Sequence, residues 1–288
     1  MSYYRILGFE EEPFSTSPDP DFFYLTKHHD AALTNILIEL RLRRGLSVVL
    51  GDVGTGKTTL SRKLVQCLKE RDDFSMHMVL DPSFENEHMF LASLIRNFNI
   101  PLDSISSNLS GGQAPTILDF KEALQKFLYQ ACLIENKTVV LIVDEAQKLT
   151  ESTLEMLRVL LNYETNENKL LQLVLLGQLE LHSKIMQISN FMDRISFKYI
   201  LNPLSLEETR DLIRFRIAKA GYKQKARLFT EDALRAIHEA TKGYPRKITM
   251  LCHRALKHLV MQSKWAADEE TVLELVHEDV HSGWLIKT

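Results

Sequence analysis

The sequence is poor in cysteine and lacks long hydrophobic runs. Its three cysteines, Cys67, Cys132 and Cys252, lie far apart and form no CxxC pair. An odd and scattered set of this kind argues against a disulfide framework or a zinc site, and it predicts reduced, buried thiols in a cytoplasmic protein. The longest apolar runs, such as VVLIV at 139–143, are too short to span a bilayer.

The sequence also lacks an excess of charge of one sign and an N-terminal targeting signal. Its 35 Lys and Arg and 38 Asp and Glu give a formal net charge of -3, so we expect no global attraction to nucleic acid or to an anionic membrane. The N-terminal MSYYRILGFEEEPF has no basic region followed by an apolar stretch, so it is not a secretory signal. The composition, 45% hydrophobic and 25% charged, is that of an ordinary soluble globular protein.

Short apolar runs alternate with longer amphipathic segments from Leu46 onward. Continuous apolar strands separated by helices predict a parallel sheet that is covered on both faces. The runs are LSVVL at 46–50, MHMVL at 76–80, VVLIV at 139–143 and LQLVLL at 171–176.

The strands stop after Pro203, and helical signals replace them. Ser205 and Glu208 form the sequence pattern of a capping box, and Thr230 is a second candidate N-cap. The predicted fold class is therefore α/β, a parallel-sheet core followed by an all-helical domain. We place an ordered, proline-rich and aromatic lead-in at 1–26, the α/β core at 27–204 and the helical domain at 205–288.

The segment GDVGTGKT at 51–58 fits the phosphate-loop pattern G-x-x-x-x-G-K-[ST]. It follows a predicted strand and enters a predicted helix, which is the context that the motif requires and that a chance glycine-rich turn would lack. Backbone N–H groups and the helix N-terminus can surround phosphates there, Lys57 can reach the β- and γ-phosphates, and Thr58 can ligate Mg²⁺. The predicted nucleotide-binding residues are Gly51, Asp52, Val53, Gly54, Thr55, Gly56, Lys57, Thr58 and Thr59.

The strand VVLIVDE at 139–145 ends in two adjacent carboxylates. Asp144 is placed to hold Mg²⁺ through water, and Glu145 is placed to polarise an attacking water. A solvated acid pair is the ordinary alternative for such a strand end, but an upstream phosphate loop in an α/β sheet favours the catalytic interpretation. The expected cofactors are therefore ATP and Mg²⁺.

The string LSGGQ at 109–113 matches the signature loop of ABC transporters. In those proteins the loop opens a helix that runs directly into the strand with the acid pair. Here another amphipathic stretch, ILDFKEALQKFLYQACL, lies between Gln113 and Asp144. We therefore interpret 107–116 as a surface loop before a helix, with glycines that serve the turn.

Four further polar residues are candidates for a nucleotide site. Gln178 follows the strand LQLVLLG and could bind the γ-phosphate or its water, although a solvated glutamine is an equal alternative. Arg194, before the predicted last strand FKYIL, could reach a neighbouring subunit's nucleotide, and Arg158 is a weaker candidate for the same role; both have a surface ion pair as the alternative. Arg246 lies in the first turn of a predicted helix, where the dipole does not favour a cation. A phosphate partner would explain this position, and the alternative is that Arg246 faces solvent.

Together these motifs resemble AAA+ ATPases, and more closely the ExeA/GspA-type ATPases of bacterial secretion. The resemblance covers nearly the whole chain. It implies that Lys57, Thr58, Asp144 and Glu145 have the roles given above, that Gln178 is sensor 1, and that Arg246 is sensor 2. It also implies that Arg194 is the arginine finger, although relatives often carry more than one arginine there. The segments that carry it are GFEEEPFSTSPDPDFFYLTKHHDAAL, LGDVGTGKTTL, VVLIVDEAQKL, LLNYETNENKLLQLVLLGQLEL and GYPRKI.

The resemblance implies an ATP-driven homo-oligomer that serves a bacterial envelope machine, a secretion system or a pilus, through protein partners. It implies a cytoplasmic location, or a peripheral one at the inner membrane through a partner. The alternative is a DNA-binding transposition regulator of the MuB/TniB type, another AAA+ group. The basic stretch at 242–264 favours DNA, whereas the acidic stretch at 268–279 could simply face it.

We expect the lead-in at 1–26 to pack on the core and line the adenine pocket. The alternative is that its rings fill a seam under the first helix.

Overall fold

The computed structural model describes residues 2–17, 19–101, 114–224 and 226–281. Within them the chain forms two compact units. The α/β unit comprises the described residues within 27–53 and 57–201, and the helical unit comprises those within 1–26, 54–56 and 202–288. Residues 107–113 of the predicted LSGGQ loop lie outside the described residues.

The α/β unit is built on a five-stranded parallel sheet, which confirms the sheet predicted from the apolar runs. The strand order is β2-β3-β4-β1-β5. Every residue of β1, β3 and β4 is buried, as expected for parallel strands covered on both faces. The strands are β1 (Leu46–Gly51), β2 (Phe74–Val79), β3 (Thr138–Val143), β4 (Leu171–Gly177) and β5 (Ile195–Leu201).

Helices connect these strands and, in the described part of the chain, make up most of the helical unit. In chain order they are α1 (Tyr3–Ile6), α2 (Lys27–Arg41), α3 (Lys57–Lys69), α4 (Glu87–Asn97), α5 (Ile117–Tyr129), α6 (Glu151–Leu160), α7 (Glu180–Gln187), α8 (Leu206–Lys219), α9 (Glu231–Thr241), α10 (Pro245–Gln262) and α11 (Glu269–His281).

Side-chain caps fix where several of these helices begin. The predicted capping box is confirmed at α8, where the Glu208 amide donates to the Ser205 hydroxyl and the Ser205 amide donates to the Glu208 carboxylate. Thr230 caps α9 by accepting from the Ala233 amide at 3.1 Å. Such caps satisfy amides that have no partner inside the helix, and each stabilises by about 0.5–2 kcal/mol.

The lead-in belongs to the helical unit. The rings of Phe9, Phe14 and Phe22 are buried in an apolar cluster with residues of α8, α9, α10 and α11. The Phe14 ring is 1% exposed and meets the Phe229 ring edge-on, with centroids 6.2 Å apart. These partners differ from the predicted seam under α2, and the burial of Phe14 leaves its ring no free face for an adenine base.

A buried arginine of α8 fastens the lead-in on either side of Phe14. The Arg216 guanidinium donates to the carbonyl of Pro13 at 2.8 Å and to that of Ser15 at 3.0 Å. Its remaining amino group donates to the Thr249 hydroxyl of α10 at 3.0 Å. Burial lowers the pKa of Arg216, yet the three hydrogen bonds replace the lost water, as a buried charge requires. Sequence patterns gave no signal for this contact.

The cysteines are free, as predicted, but they are not all buried. Cys132 and Cys252 are buried, and burial raises the pKa of the Cys132 thiol. Cys67, near the end of α3, is exposed, so the prediction of buried thiols is wrong for this residue.

No helix among the described residues is long and apolar enough to cross a bilayer.

Candidate functional site

The candidate nucleotide site begins where β1 ends and α3 starts. β1 ends at Gly51 and α3 begins at Lys57, so the predicted strand–loop–helix context of the phosphate loop is present. Gly54 and Gly56 have positive φ angles of 85° and 99°, a conformation that glycine adopts without the cost that a Cβ atom imposes. Thr55 is buried between them, whereas Val53 is 58% exposed.

Lys57 is buried at the start of α3, with only 6% of its surface exposed. Its Nζ donates to the carbonyl oxygens of Gly51 at 2.8 Å and Asp52 at 2.9 Å. Burial lowers the pKa of Lys57, and the charges of Glu145 and Asp144 act in the opposite direction. An ammonium carries three donors, so the two carbonyls leave one donor for a phosphate oxygen.

Asp144 lies directly after β3 and contacts Thr58, the other predicted metal residue. Asp144 is 1% exposed, accepts a hydrogen bond from the Thr58 side chain and accepts another from the Glu145 amide at 2.9 Å. Burial raises the pKa of its carboxyl group, and the hydrogen bond from Thr58 opposes that shift. One carboxylate beside one hydroxyl is a donor set of hard oxygens that fits Mg²⁺, which usually takes one or two carboxylates and completes its shell with waters and substrate phosphates. No group of three or more His, Cys, Asp or Glu side chains that could hold a metal ion occurs in the described part of the chain.

Glu145 adopts a left-handed backbone conformation at the turn after β3, with φ 51° and ψ 35°. This conformation is uncommon for a residue with a side chain and is found at sites where the surrounding structure enforces it. The Glu145 carboxylate accepts a hydrogen bond of 2.7 Å from the side-chain amide of Gln147. Sequence reasoning gave Gln147 no role, although it is the last residue of the DEAQ string that carried part of the resemblance.

Gln178 lies at the tip of β4, the strand between β1 and β3 in the sheet. The ends of β1, β4 and β3 therefore carry the phosphate loop, Gln178 and the acid pair in that spatial order, at the carboxyl edge where open α/β sheets bind ligands. The backbone amide of Gln178 donates to the side-chain oxygen of Gln147 at 3.0 Å.

The two candidate trans-acting arginines have different surroundings. Arg158 forms a two-pronged ion pair with Glu155 on its own helix, α6, with distances of 2.8 and 2.6 Å. Arg194 ends a 3-10 turn directly before β5. A hydrogen bond from Lys169 lowers the pKa of the Glu164 carboxyl group, and the more distant charge of Arg194 adds to that effect.

Arg246 belongs to the helical unit and occupies the first turn of α10, as predicted. Pro245 is the first residue of that helix, a position at which proline loses no hydrogen bond. Within this unit the Arg246 amide donates to the carbonyl of Gly54 at 3.3 Å. A Cβ atom on Gly54 would lie 3.0 Å from the Cβ of Arg246, so glycine at position 54 allows this close approach.

Part of the basic stretch at 242–264 contacts the acidic helix that follows it. Arg254 of α10 pairs with Glu278 of α11 at 3.2 Å. His258 lies 3.8 Å from Glu274, and Lys264 donates to the Thr271 hydroxyl at 3.4 Å. These contacts favour the interpretation that part of the basic stretch faces the acidic one.

Comparison with known proteins identifies related chains. Residues 40–185 match the family described as "AAA domain". The chain is 37% identical over 263 residues to General secretion pathway protein A of Aeromonas hydrophila, an alignment that covers 88% of this chain and 44% of that protein. The chain thus spans less than half the length of this relative. The family resemblance predicted from the sequence is confirmed.

Solved structures share the fold at low sequence identity. Cdc6p of Pyrobaculum aerophilum aligns with a TM-score of 0.64 and 20% identity, over 88% of this chain and 67% of that one. The ORC2 protein of Aeropyrum pernix aligns with a TM-score of 0.60 and 18% identity, over 87% of this chain and 66% of that one. The predicted fold class, a parallel α/β core of the phosphate-loop NTPase type followed by a helical domain, is confirmed.

Proposed function

The chain belongs to the AAA domain family, and from that premise we propose that it binds ATP with Mg²⁺ and hydrolyses it. One observation carries the proposal. The buried Lys57 ammonium lies close enough to Asp144 and Glu145 for their negative charges to favour its charged form. Asp144 also accepts a hydrogen bond from the Thr58 side chain. One edge of the sheet thus carries a cation for the phosphates, oxygen ligands for a metal and a carboxylate that can accept a proton from water.

Each of these side chains has a distinct part in the proposed reaction. Bound Mg²⁺ would neutralise charge on the β- and γ-phosphates. The Lys57 ammonium and the loop amides hold the phosphates, and Thr58 and Asp144 would hold the metal. The Glu145 carboxylate orients the attacking water and accepts its proton. Gln178, at the tip of the strand between them, is assigned to the γ-phosphate, and Arg246 to sensing of the bound nucleotide.

The proposal is tested by the release of inorganic phosphate from ATP by the purified chain. We expect turnover in the presence of Mg²⁺ and loss of turnover when EDTA removes the metal, because phosphate charge then lacks its counterion. Restoration by added Mg²⁺ is the control. Phosphate release that persists unchanged in EDTA would refute the assigned metal roles of Thr58 and Asp144, and its absence with Mg²⁺ in nucleotide-saturated, folded protein would refute hydrolysis.

We further propose that the chain works as a homo-oligomer in which Arg194 completes the nucleotide site of the next subunit. Its place at the start of an edge strand supports the proposal, as does the engagement of the competing Arg158 with Glu155. Contacts that pair two different surfaces of the same chain generate rings or helical filaments.

Mixing two inactive variants tests the arginine in trans. An Arg194→Ala subunit retains its own Lys57, and a Lys57→Ala subunit retains its own Arg194. We expect both homogeneous samples to be inactive and an equal mixture to recover activity at about a quarter of its subunit contacts, the fraction expected from random mixing at a heterologous interface. Phosphate release by the mixtures is the measurement.

Arg158→Ala is the matched control for this experiment. Because Arg158 is held by Glu155 on the same helix, we expect that variant to keep its activity. A mixture that stays inactive, or a protein that remains monomeric by light scattering with ATP and Mg²⁺ present, would contradict an arginine in trans. Loss of activity in Arg158→Ala with recovery on mixing would move the assignment to Arg158.

For the biological process we propose the operation or assembly of a bacterial envelope machine, a secretion system or a pilus, through protein partners. Support comes from the similarity to a protein named for the general secretion pathway. We propose a cytoplasmic location, with any position at the inner membrane supplied by a partner. DNA binding, as in a transposition regulator, is the weaker candidate because the ion pair between Arg254 and Glu278 uses one of the cations that would contact phosphates.

A further inference from the structure

The side chain of Gln147 connects Glu145, in the turn after β3, with Gln178, at the tip of β4. Its nitrogen Nε2 donates to the Glu145 carboxylate at 2.7 Å, and its oxygen Oε1 accepts from the Gln178 backbone amide at 3.0 Å. Only the amide nitrogen can donate to a carboxylate and only the oxygen can accept from an N–H group. The orientation of the Gln147 amide is therefore fixed, since a flip would break both bonds.

The backbone of the turn that carries Gln147 is also held in place, by contacts from β4 and α7. The Lys184 ammonium of α7 donates to the carbonyl of Gln147 at 2.6 Å and to that of Leu149 at 2.9 Å. A Cβ atom on Gly177 would lie 3.3 Å from the Gln147 backbone nitrogen, so β4 approaches the turn closely where it ends. With its backbone held in this way, Gln147 has little freedom to follow a displaced partner.

The Glu145 carboxylate needs a contact that fixes its orientation, because the backbone conformation of Glu145 does not fix it. It is the last residue before the 3-10 turn Ala146–Lys148 and has a left-handed conformation. A free glutamate side chain samples many rotamers, and ordering it carries an entropic cost. The hydrogen bond from Gln147 selects one orientation of the carboxylate.

We propose that Gln147 is a positioning residue for hydrolysis: it orients the Glu145 carboxylate and ties it to the tip of β4, which carries Gln178. This inference rests on the proposed ATPase function and deepens it. Gln147 acts through Glu145, so it sets the rate of hydrolysis and contributes little to the binding of ATP.

Two replacements of Gln147 separate positioning from a general structural role. We expect Gln147→Ala and Gln147→Glu to lower kcat by about 10-fold to 100-fold, the range in which a misplaced catalytic group affects turnover. The glutamate variant keeps the length of the side chain but replaces the donor with a carboxylate that repels Glu145. We expect KM for ATP, the dissociation constant of a non-hydrolysable ATP analogue and the melting temperature to stay near the wild-type values.

Two controls sharpen the test. Gln187→Ala removes an exposed glutamine at the end of α7 and should leave kcat unchanged. In a Glu145→Asp background, whose shorter side chain cannot reach Gln147 in the same way, adding Gln147→Ala should lower kcat by less than about 2-fold, because coupled residues are not additive.

The outcomes distinguish this inference from the function on which it rests. A wild-type chain that releases no phosphate sinks the proposed function. A wild-type chain that hydrolyses ATP while Gln147→Ala does so at the same rate sinks the positioning role alone. A full loss repeated in the Glu145→Asp background, or a loss explained by weaker analogue binding or a lower melting temperature, would likewise overturn it.

Discussion

Replacement of Glu145 by glutamine is expected to lower kcat for ATP hydrolysis by about 10²-fold to 10⁴-fold, the usual contribution of a general base. Glutamine has nearly the same shape but cannot accept a proton from water. The substitution leaves Lys57, proposed to contact the phosphates, and the buried Asp144 in place, so the affinity for ATP should change by no more than about 2-fold to 3-fold. Phosphate release and equilibrium binding of a fluorescent ATP analogue measure the two quantities separately.

Glu167→Gln is the matched control, because Glu167 is exposed and lies in the loop before β4. It makes the same chemical change outside the candidate site and should leave both quantities unchanged. A Glu145→Gln variant that hydrolyses ATP at the wild-type rate would remove Glu145 from the chemistry. A variant that loses ATP binding as well would assign Glu145 to holding the nucleotide or its metal.

Replacement of Phe14 by alanine is expected to lower the free energy of unfolding of the helical unit by about 3–5 kcal/mol, as for other buried phenylalanines. The ring is 1% exposed, so its removal leaves a cavity beside Phe229. The Arg216 guanidinium, whose Cζ lies 6.0 Å from the ring centroid, would lose part of its packing. Thermal melting of the nucleotide-free protein measures the effect.

Trp265→Ala provides the comparison, because that aromatic residue is 87% exposed and surface substitutions usually change stability by less than about 0.5 kcal/mol. If Phe14 stacks on adenine, Phe14→Ala would instead raise the dissociation constant for ATP and leave the melting temperature unchanged. That pattern would contradict the buried position of the ring and restore the expectation of a lead-in that lines the adenine pocket.

Local patterns were sufficient to predict the sheet and several helix starts. The runs around Val48, Leu141 and Leu173 lie in the buried strands β1, β3 and β4. The apolar run of a buried strand and the side chain of an N-cap each depend on a few consecutive residues, so both can be recognised in a single sequence. The phosphate loop belongs to the same class, since its glycines and its lysine occur within eight residues of sequence.

Contacts between distant residues could not be predicted in this way. Gln147 meets the amide of Gln178 across 31 residues, and Arg216 meets Pro13 across 203. Neither residue has a local pattern that distinguishes it from a solvated glutamine or arginine. The same limit explains the lead-in: its aromatic composition predicted burial, but composition does not specify which surface buries the rings.

The strand order also bears on the synthesis of this protein. Both hydrogen-bonded neighbours of β1, β4 and β5, follow it far along the chain, and β4 must enter between β1 and β3, which are made earlier. A nascent chain that has emerged only as far as Leu170 therefore holds a largely apolar strand, β1, with two unpaired edges. Such edges are sites of aggregation, and pairings this distant in sequence form slowly. β2 and β3 can pair with each other at that stage, so β1, the strand that precedes the phosphate loop, is the one of the first three strands that has to wait for its partners.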